Sequence, residues 1–398
     1  MNAQLKRLFA IAAKPSRRIL GLMSGTSLDG LDMALCRVEG SGRTTRISLE
    51  HFATAAFGEE VKEKVRQVFA KKTIDFQHLT LLNAWLGRHH AELVCRQLAA
   101  WGVSPEAVDL IASHGQTVFH APRILHGLPD YPNATLQIGD GDHLAVHTGI
   151  ITLSDFRQKH VAAGGEGAPL AVYGDYFIFT DAHENRILLN LGGIANFTYL
   201  PANGRAEEVF VTDTGPGNTL LDAFAQEFTG QAYDRDGRLA LAGSVSQPLL
   251  QALKEEAFFE APFPRTTGPE LFNKQYVRLA QQRSGTSALS PQDLMATLAR
   301  FSAETVADAV LKVCSPGLLY HLYLSGGGMH NPALLQHLQA CLPACIMKTT
   351  DTLGIAGDAK EAILFAILAN ETIAGGDTFF GNRPGVPAVS MGKISLPA

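Results

Sequence analysis

Between residues 19 and 38 the apolar positions fall into two runs, Ile19, Leu20 and Leu22, then Leu31, Met33, Leu35 and Val38. Between the runs lies the small polar stretch Ser24-Gly25-Thr26-Ser27. Alternation on both sides of a Gly/Ser/Thr turn predicts a hairpin, with a further strand over 47–57. Helical spacing then takes over: Val61, Val65, Val68 and Phe69 predict a helix over 59–71. Leu82, Leu86, Leu93, Val94 and Leu98 predict a longer one over 79–101. Residues 108–112 read as a buried strand that opens into a polar loop, Ser113-His114-Gly115-Gln116-Thr117. Short strands over 136–139 and 150–153 flank a helix over 141–148, and the last strand ends in Ser154-Asp155-Phe156-Arg157.

The second half opens as the first did. A strand over 186–190, the turn Leu191-Gly192-Gly193-Ile194-Ala195-Asn196 and a strand over 197–200 form a second glycine hairpin. This is a weak internal repeat at about half the chain length. A strand over 209–211 ends in Thr212-Asp213-Thr214-Gly215-Pro216-Gly217-Asn218, and a helix over 219–228 follows. The proline-rich loop 262–269 comes next, then a helix begun by the capping box Ser290-Pro291-Gln292-Asp293. A strand over 319–324 breaks into Ser325-Gly326-Gly327-Gly328, and Asn331-Pro332 starts another helix. A final helix over 358–370 carries Glu361 in its first turn.

Composition narrows the classes. A chain of 398 residues suggests two domains. A hydrophobic share of 46% with 18% charged residues is that of a globular protein. The formal net charge of −5 argues against a nucleic-acid binder. Five unpatterned cysteines fit a reducing cytoplasm, with Cys341 and Cys345 better read as buried apolar thiols than as a metal pair. No apolar run approaches a membrane span. Residues 1–18 read as a loose leader whose apolar run is too short for a secretory signal.

Several stretches carry candidate chemistry. Gly25, Thr26 and Ser27 offer backbone N–H groups and hydroxyls that can cradle an anion, although the same residues also make an ordinary turn. Asp29 and Asp32 beside such a cradle suit a hydrated Mg²⁺, for which Asp29 is the preferred anchor, and Asp32 can equally be structural. The Ser113–Thr117 block stands where open α/β sheets bind ligands, while a lone histidine is more often structural. The glycine-rich 162–169 segment is a hinge, a domain boundary or a close wrap around a ligand. Asp213 at a strand mouth is placed for base chemistry, unless it merely caps the next helix. The strand, triple glycine and helix of 319–332 form a nucleotide-approach geometry.

In this order the loops resemble the actin, sugar-kinase and heat-shock ATPase superfamily. That likeness implies an α/β, two-lobed fold of ribonuclease H-like mixed sheets flanked by helices, with ATP between the lobes. The expected first lobe is 19–160 with about 371–398, and the second is 161–370. More closely, Gly21-Leu22-Met23-Ser24-Gly25-Thr26-Ser27-Leu28-Asp29-Gly30, Ser113–Thr117, Asp155-Phe156-Arg157, Gly164–Leu170, Asp213–Asn218 and Ser325–Gly328 resemble the anhydro-N-acetylmuramic acid kinase family. The resemblance implies a cytoplasmic enzyme of cell-wall recycling, using ATP and Mg²⁺ on a sugar substrate, with a homodimer allowed. It implies Asp213 as base and Glu361 as a second active-site acid. Gly25, Thr26, Ser27, Leu28, Asp29, Gly30, Leu31 and Asp32 would hold phosphate, joined by Gly192 and Gly193, with Gly326, Gly327 and Gly328 against adenosine. Ser113, His114, Gln116, Asp155, Arg157, Gly215 and Asn218 would meet the sugar. Met23 and Asn190 depart from the superfamily, which usually has acidic residues at both places. A conventional sugar or carboxylate kinase and a non-catalytic ATP-binding scaffold are the competing readings.

Overall fold

A computed structural model describes all residues except 1, 169, 203, 316, 356–358 and 376–386. The Asp358 start of the last helix, Pro169 of the glycine-rich block and most of the Gly/Pro tail therefore lie outside the described residues. The chain folds into two compact units, Met1–Ile178 with Asp358–Ala398, and Phe179–Gly357.

The strands of the first unit are β1 (Ser16–Ser24), β2 (Gly30–Glu39), β3 (Arg46–Ala56), β4 (Leu110–Ala121), β5 (Ala134–Ile138) and β6 (Thr152–Ser154). Those of the second are β7 (Asn185–Leu191), β8 (Ile194–Leu200), β9 (Phe210–Pro216), β10 (Tyr320–Ser325) and β11 (Cys345–Thr349). A last strand, β12 (Lys393–Ser395), returns to the first sheet beside β6. In the first sheet β3, β2 and β1 run antiparallel, then β1, β4 and β6 run parallel. In the second, β9, β8 and β7 run antiparallel, then β7, β10 and β11 run parallel. Numbered within its unit, the second sheet has the order 3-2-1-4-5 and the first 3-2-1-4-6, with β5 paired to β4 off this path and β12 beyond β6. The repeat faintly visible in the glycine hairpins thus extends to a shared five-strand pattern of three antiparallel and two further parallel strands. This is the ribonuclease H-like α/β arrangement expected from the sequence.

Alternation along β1 decides which helix covers which face. Leu20 and Leu22 pack with Leu82, Leu86 and Val94 of the helix Phe76–Ala100. Gly21 faces the opposite way, onto the helix Lys360–Ala374, which lies against β1, β2 and β4. In the second unit β7, β8 and β10 supply Ile187, Leu189, Phe197 and Leu322 to a core shared with the helix Pro291–Val313. The capping devices read from sequence form: Ser290 accepts from Asp293 N–H at 3.1 Å, and Asn331 from Ala333 N–H at 3.1 Å.

Three expectations need correction. The described part of 1–18 is held in place, where a loose leader was expected. Ala3–Ala12 is a helix, and Arg17 is buried, donating to Asn370 Oδ1 at 2.6 Å and to the carbonyls of Lys14 and Gly40. The unit boundary falls after Ile178, not at 161, because the residues after the glycine-rich segment continue into the helix Ala171–Phe179. The last helix belongs to the first unit, since it covers that unit's sheet.

Candidate active site

The first glycine hairpin forms as expected, with β1 and β2 joined by residues 25–29. Its base is braced by Gln116, which is fully buried: Ser24 Oγ donates to Gln116 Oε1 at 2.5 Å, and Gln116 Nε2 donates to the carbonyls of Gly25 and Thr117. Thr26, Ser27 and Asp29 are exposed at the tip. Leu28 turns the chain with φ of 60°, and its side chain, like that of Leu31, is buried in the core. Only the backbone of these two leucines is available to a ligand. Asp32 lies on β2, two residues past Gly30, and accepts from Thr54 Oγ1 at 2.5 Å. Gly30 is glycine because β3 runs so close that a Cβ would lie 2.5 Å from the Ala55 carbonyl oxygen.

The Ser113–Thr117 block is not a loop after a strand end. It lies inside β4, which continues to Ala121, and the β1–β4 register shifts between Leu22 and Ser24 to admit it. Ser113, His114 and Gln116 are therefore buried, and Thr117 is partly so. Ser113 Oγ has no hydrogen-bond partner among the described residues. His114 packs on Phe365 with ring centroids 4.8 Å apart. Arg157 Nε donates to His114 Nε2 at 3.0 Å, and an arginine can only donate. Nδ1 must then carry the proton, which it donates to the Gly115 carbonyl at 2.9 Å. Burial and the Arg157 charge push His114 down to about 3, so the ring stays neutral. Arg157 is fixed a second time by the Gly167 carbonyl at 2.6 Å, which ties the glycine-rich segment to the site.

Glu361 is the carboxylate facing this arginine. Its surroundings shield it enough to raise its pKa although its surface is open to water; Arg157 and Lys360 oppose the rise, and Asp32 adds to it. Lys360 itself pairs with buried Asp175 at 2.8 Å. The first unit thus gathers His114, Arg157, Glu361 and Asp32. Asp155 is engaged elsewhere, in an ion pair with Lys393 of β12.

In the second unit three glycine stretches converge on Leu191. Asn218 N–H donates to the Gly192 carbonyl, and Gly217 N–H to that of Gly193, each at 2.8 Å. Asn218 Nδ2 donates to the Leu191 carbonyl at 2.9 Å. Gly326, with φ of 82°, presses so closely on Leu191 that a Cβ would lie 2.9 Å from its carbonyl carbon and 2.5 Å from Asn190 Oδ1. Gly327 opens the short turn that follows, and Gly328 rests on Leu191 and Asn218. Asn218 is thus a strut between the second hairpin and the triple glycine. Gly215 lies against Phe259 and Thr305 in the packing of β9.

Asp213 sits inside β9, not in a loop beyond it, and it caps no helix: the helix Thr219–Thr229 has Asn218 at its cap position. Thr267 N–H donates to Asp213 Oδ2 at 2.8 Å, and no donor among the described residues reaches Oδ1. Burial raises the carboxyl pKa, the Thr267 N–H and the Arg265 charge pull it down, and Glu270 pushes it up again. A partly desolvated carboxylate with one oxygen pinned and the other open can accept a proton from water. Arg265 borders a cavity of about 400 Å³ together with Lys254, Thr305, Asp308 and Lys312. Asp213 is not in its wall.

Arg265 and Thr267 were not singled out in the sequence. The available signal was an arginine set among Phe258, Phe259 and Phe263 in a loop otherwise notable for proline.

Residues 17–390 match the family model for anhydro-N-acetylmuramic acid kinase. The chain belongs to this family. A relative from Pseudoalteromonas atlantica is 52% identical over the whole of both chains. One from Pseudoalteromonas translucida is 50% identical, again over both whole chains. A third, from Caldanaerobacter subterraneus, is 38% identical over 98% of this chain and all of the other. All three carry the family's name. Membership makes the chain a phosphotransferase that uses ATP, as the resemblance in its motifs implied. No helix among the described residues is long and apolar enough to cross a membrane.

Kinases of this kind imply Mg²⁺, and the residues present fit it. No group of three His, Cys, Asp or Glu side chains among the described residues could hold a metal alone. Mg²⁺ needs no such group, because it takes one or two carboxylates and fills its shell with phosphate and water oxygens. The exposed Asp29 carboxylate makes no hydrogen bond or ion pair with the described residues and is open for that purpose.

Proposed function

We propose that this kinase opens the 1,6-anhydro ring of anhydro-N-acetylmuramic acid with water while moving the γ-phosphate of ATP to O6. The products are N-acetylmuramic acid 6-phosphate and ADP, in the recycling of cell-wall material. What carries the reading is Asp213, held by Thr267 with Oδ1 open, in a chain that matches the family along nearly its whole length. Water attacks C1 and gives its proton to Asp213 as the C1–O6 bond breaks. O6 takes the γ-phosphoryl group, and ADP leaves with the bridging oxygen. A glycosidase needs a second carboxylic acid to protonate its leaving oxygen. Here phosphorus accepts that oxygen, so one base suffices.

The residues 25–29 tip, with Asp29, and the Gly192-Gly193 turn hold phosphates, where Mg²⁺ would neutralise charge as the phosphoryl group moves. Gly326–Gly328 lies against adenosine. Arg157, positioned by His114, and Glu361 meet the sugar. Leu28, Leu31, Gly30, Gln116, Asn218 and Gly215 serve by shaping these loops. The same reading puts the enzyme in the cytoplasm, where ATP is available, and accommodates a homodimer.

The test is turnover with MgATP and the anhydro sugar in heavy-oxygen water, followed by mass spectrometry. One heavy oxygen at C1 of a phosphorylated product is expected, and Asp213→Asn should abolish it. A phosphorylated product without heavy oxygen would mean an ordinary sugar kinase and overturn the hydrolytic step.

A further inference from the structure

We propose that Arg265 is the positioning residue for Asp213: it locks the 258–267 segment against β9 so that the Thr267 N–H meets Oδ2 and leaves Oδ1 to the water. This inference rests on the reading of Asp213 as the base. Arg265 is 8% exposed, and a buried cation must be matched by acceptors. Its Nη1 donates to the carbonyls of Phe258 at 3.0 Å and Phe259 at 2.7 Å, and its Nε to the backbone carbonyl of Asp213 at 3.3 Å. Its guanidinium carbon stands 4.5 Å from the ring centre of Phe258 and 5.0 Å from that of Phe263, within cation–π range.

The backbone completes the lock. Asp213 N–H donates to the Arg265 carbonyl at 2.9 Å, and Arg265 N–H donates to Thr212 Oγ1 at 3.1 Å. The segment therefore runs alongside Thr212 and Asp213 and delivers Thr267 two residues later. A lysine could supply the charge but not this fork, because an ammonium is a point charge on a flexible stem. The charged groups that bear on the pair are Glu270 at Asp213 and Glu260 at Arg265, while Lys254, Asp308 and Lys312 line the cavity that Arg265 borders.

The experiment compares the full-length wild-type enzyme with Arg265→Gln, Arg265→Lys and Asp213→Asn. It measures kcat and KM across pH, with urea unfolding to establish the folded fraction. Arg265→Gln should lower kcat by tenfold or more while KM for ATP stays within about twofold. The acid limb of its pH profile should move up by roughly one unit, since an opposite charge has left a carboxylate. Arg265→Lys should lose kcat with the limb in place, and it carries the test alone if the glutamine variant does not fold. If Asp213→Asn is inactive but the Arg265 variants keep wild-type kcat per folded molecule and an unmoved limb, the positioning role is refuted and the base stands. If Asp213→Asn turns over normally, the base reading fails and the role of Arg265 falls with it.

Discussion

Gly21→Ala probes the contact between β1 and the helix that carries Glu361. At Gly21 a Cβ would lie 1.9 Å from the Ala362 carbonyl oxygen and 2.8 Å from its carbonyl carbon. Ordinary contact begins at about 3.4 Å, so strand and helix must separate by about 1.5 Å. The obstacle is backbone, which no rotamer change relieves. Overpacking of this kind costs about 1–3 kcal/mol. Ala362 directly follows Glu361, so the carboxylate moves with the helix. A misplacement of about 1 Å can cost on the order of a hundredfold in rate. The variant should therefore unfold at lower urea and, where folded, lose ten- to a hundredfold in kcat. A second substitution, Ala362→Gly, should not rescue it, since the clash is with the Ala362 backbone and not its methyl group. Unfolding and kcat both within error of wild type would refute the close packing, and rescue by Ala362→Gly would refute its assignment to backbone.

Acid should weaken the first unit. His90, His114 and His160 are buried, with His90 and His114 pushed down to about 3 and His160 to about 4, burial being the largest cause in each. A histidine depressed on folding binds its proton more readily when unfolded, so stability is intact above about pH 6.5 and falls as pH drops toward these values, by roughly 1 kcal/mol per pH unit per group. Urea unfolding at pH 7 and pH 5 should show the loss, and equal midpoints would contradict it. Gly326→Ala puts a side chain at φ of 82° against Leu191 and Asn190, so KM for ATP should rise several-fold in steady-state assays. An unchanged KM would refute the proposed place of Gly326 against adenosine. His114→Phe keeps the ring on Phe365 but takes the acceptor from Arg157 Nε, which should raise KM for the sugar more than KM for ATP.

Much of the local structure around the candidate site was legible because glycine hairpins, capping boxes and strand periodicity are local signals. The two hairpins, the Asn331 cap and the helix Gly141–Thr148 form where the pattern put them. What failed to show was non-local. Ser113–Thr117 reads as a loop because it is polar, yet β1 and Phe365 bury it and β4 runs on. The glycine at 30 reads as a turn residue, but its reason is the Ala55 carbonyl on a neighbouring strand. Residues 1–18 look detached because Arg17 meets Asn370, which lies at the other end of the chain. Arg265 was hidden for the same reason: its partners at 212, 213, 258 and 259 share no periodicity with it.

The return of the chain to its first sheet has a bearing on how the enzyme is made. Phe179–Gly357 is one continuous stretch, whereas the first unit stays open until Arg17 can meet Asn370, Thr45 can meet Glu371 and β12 can pair with β6. On the ribosome the second unit can therefore mature while the first waits, with the Gly21 and His114 face of its sheet bare. Loss of the last helix through a premature stop would leave that apolar face uncovered, a ready surface for chaperones and proteases. The helix Lys360–Ala374 and β12 thus seal strands translated well before them.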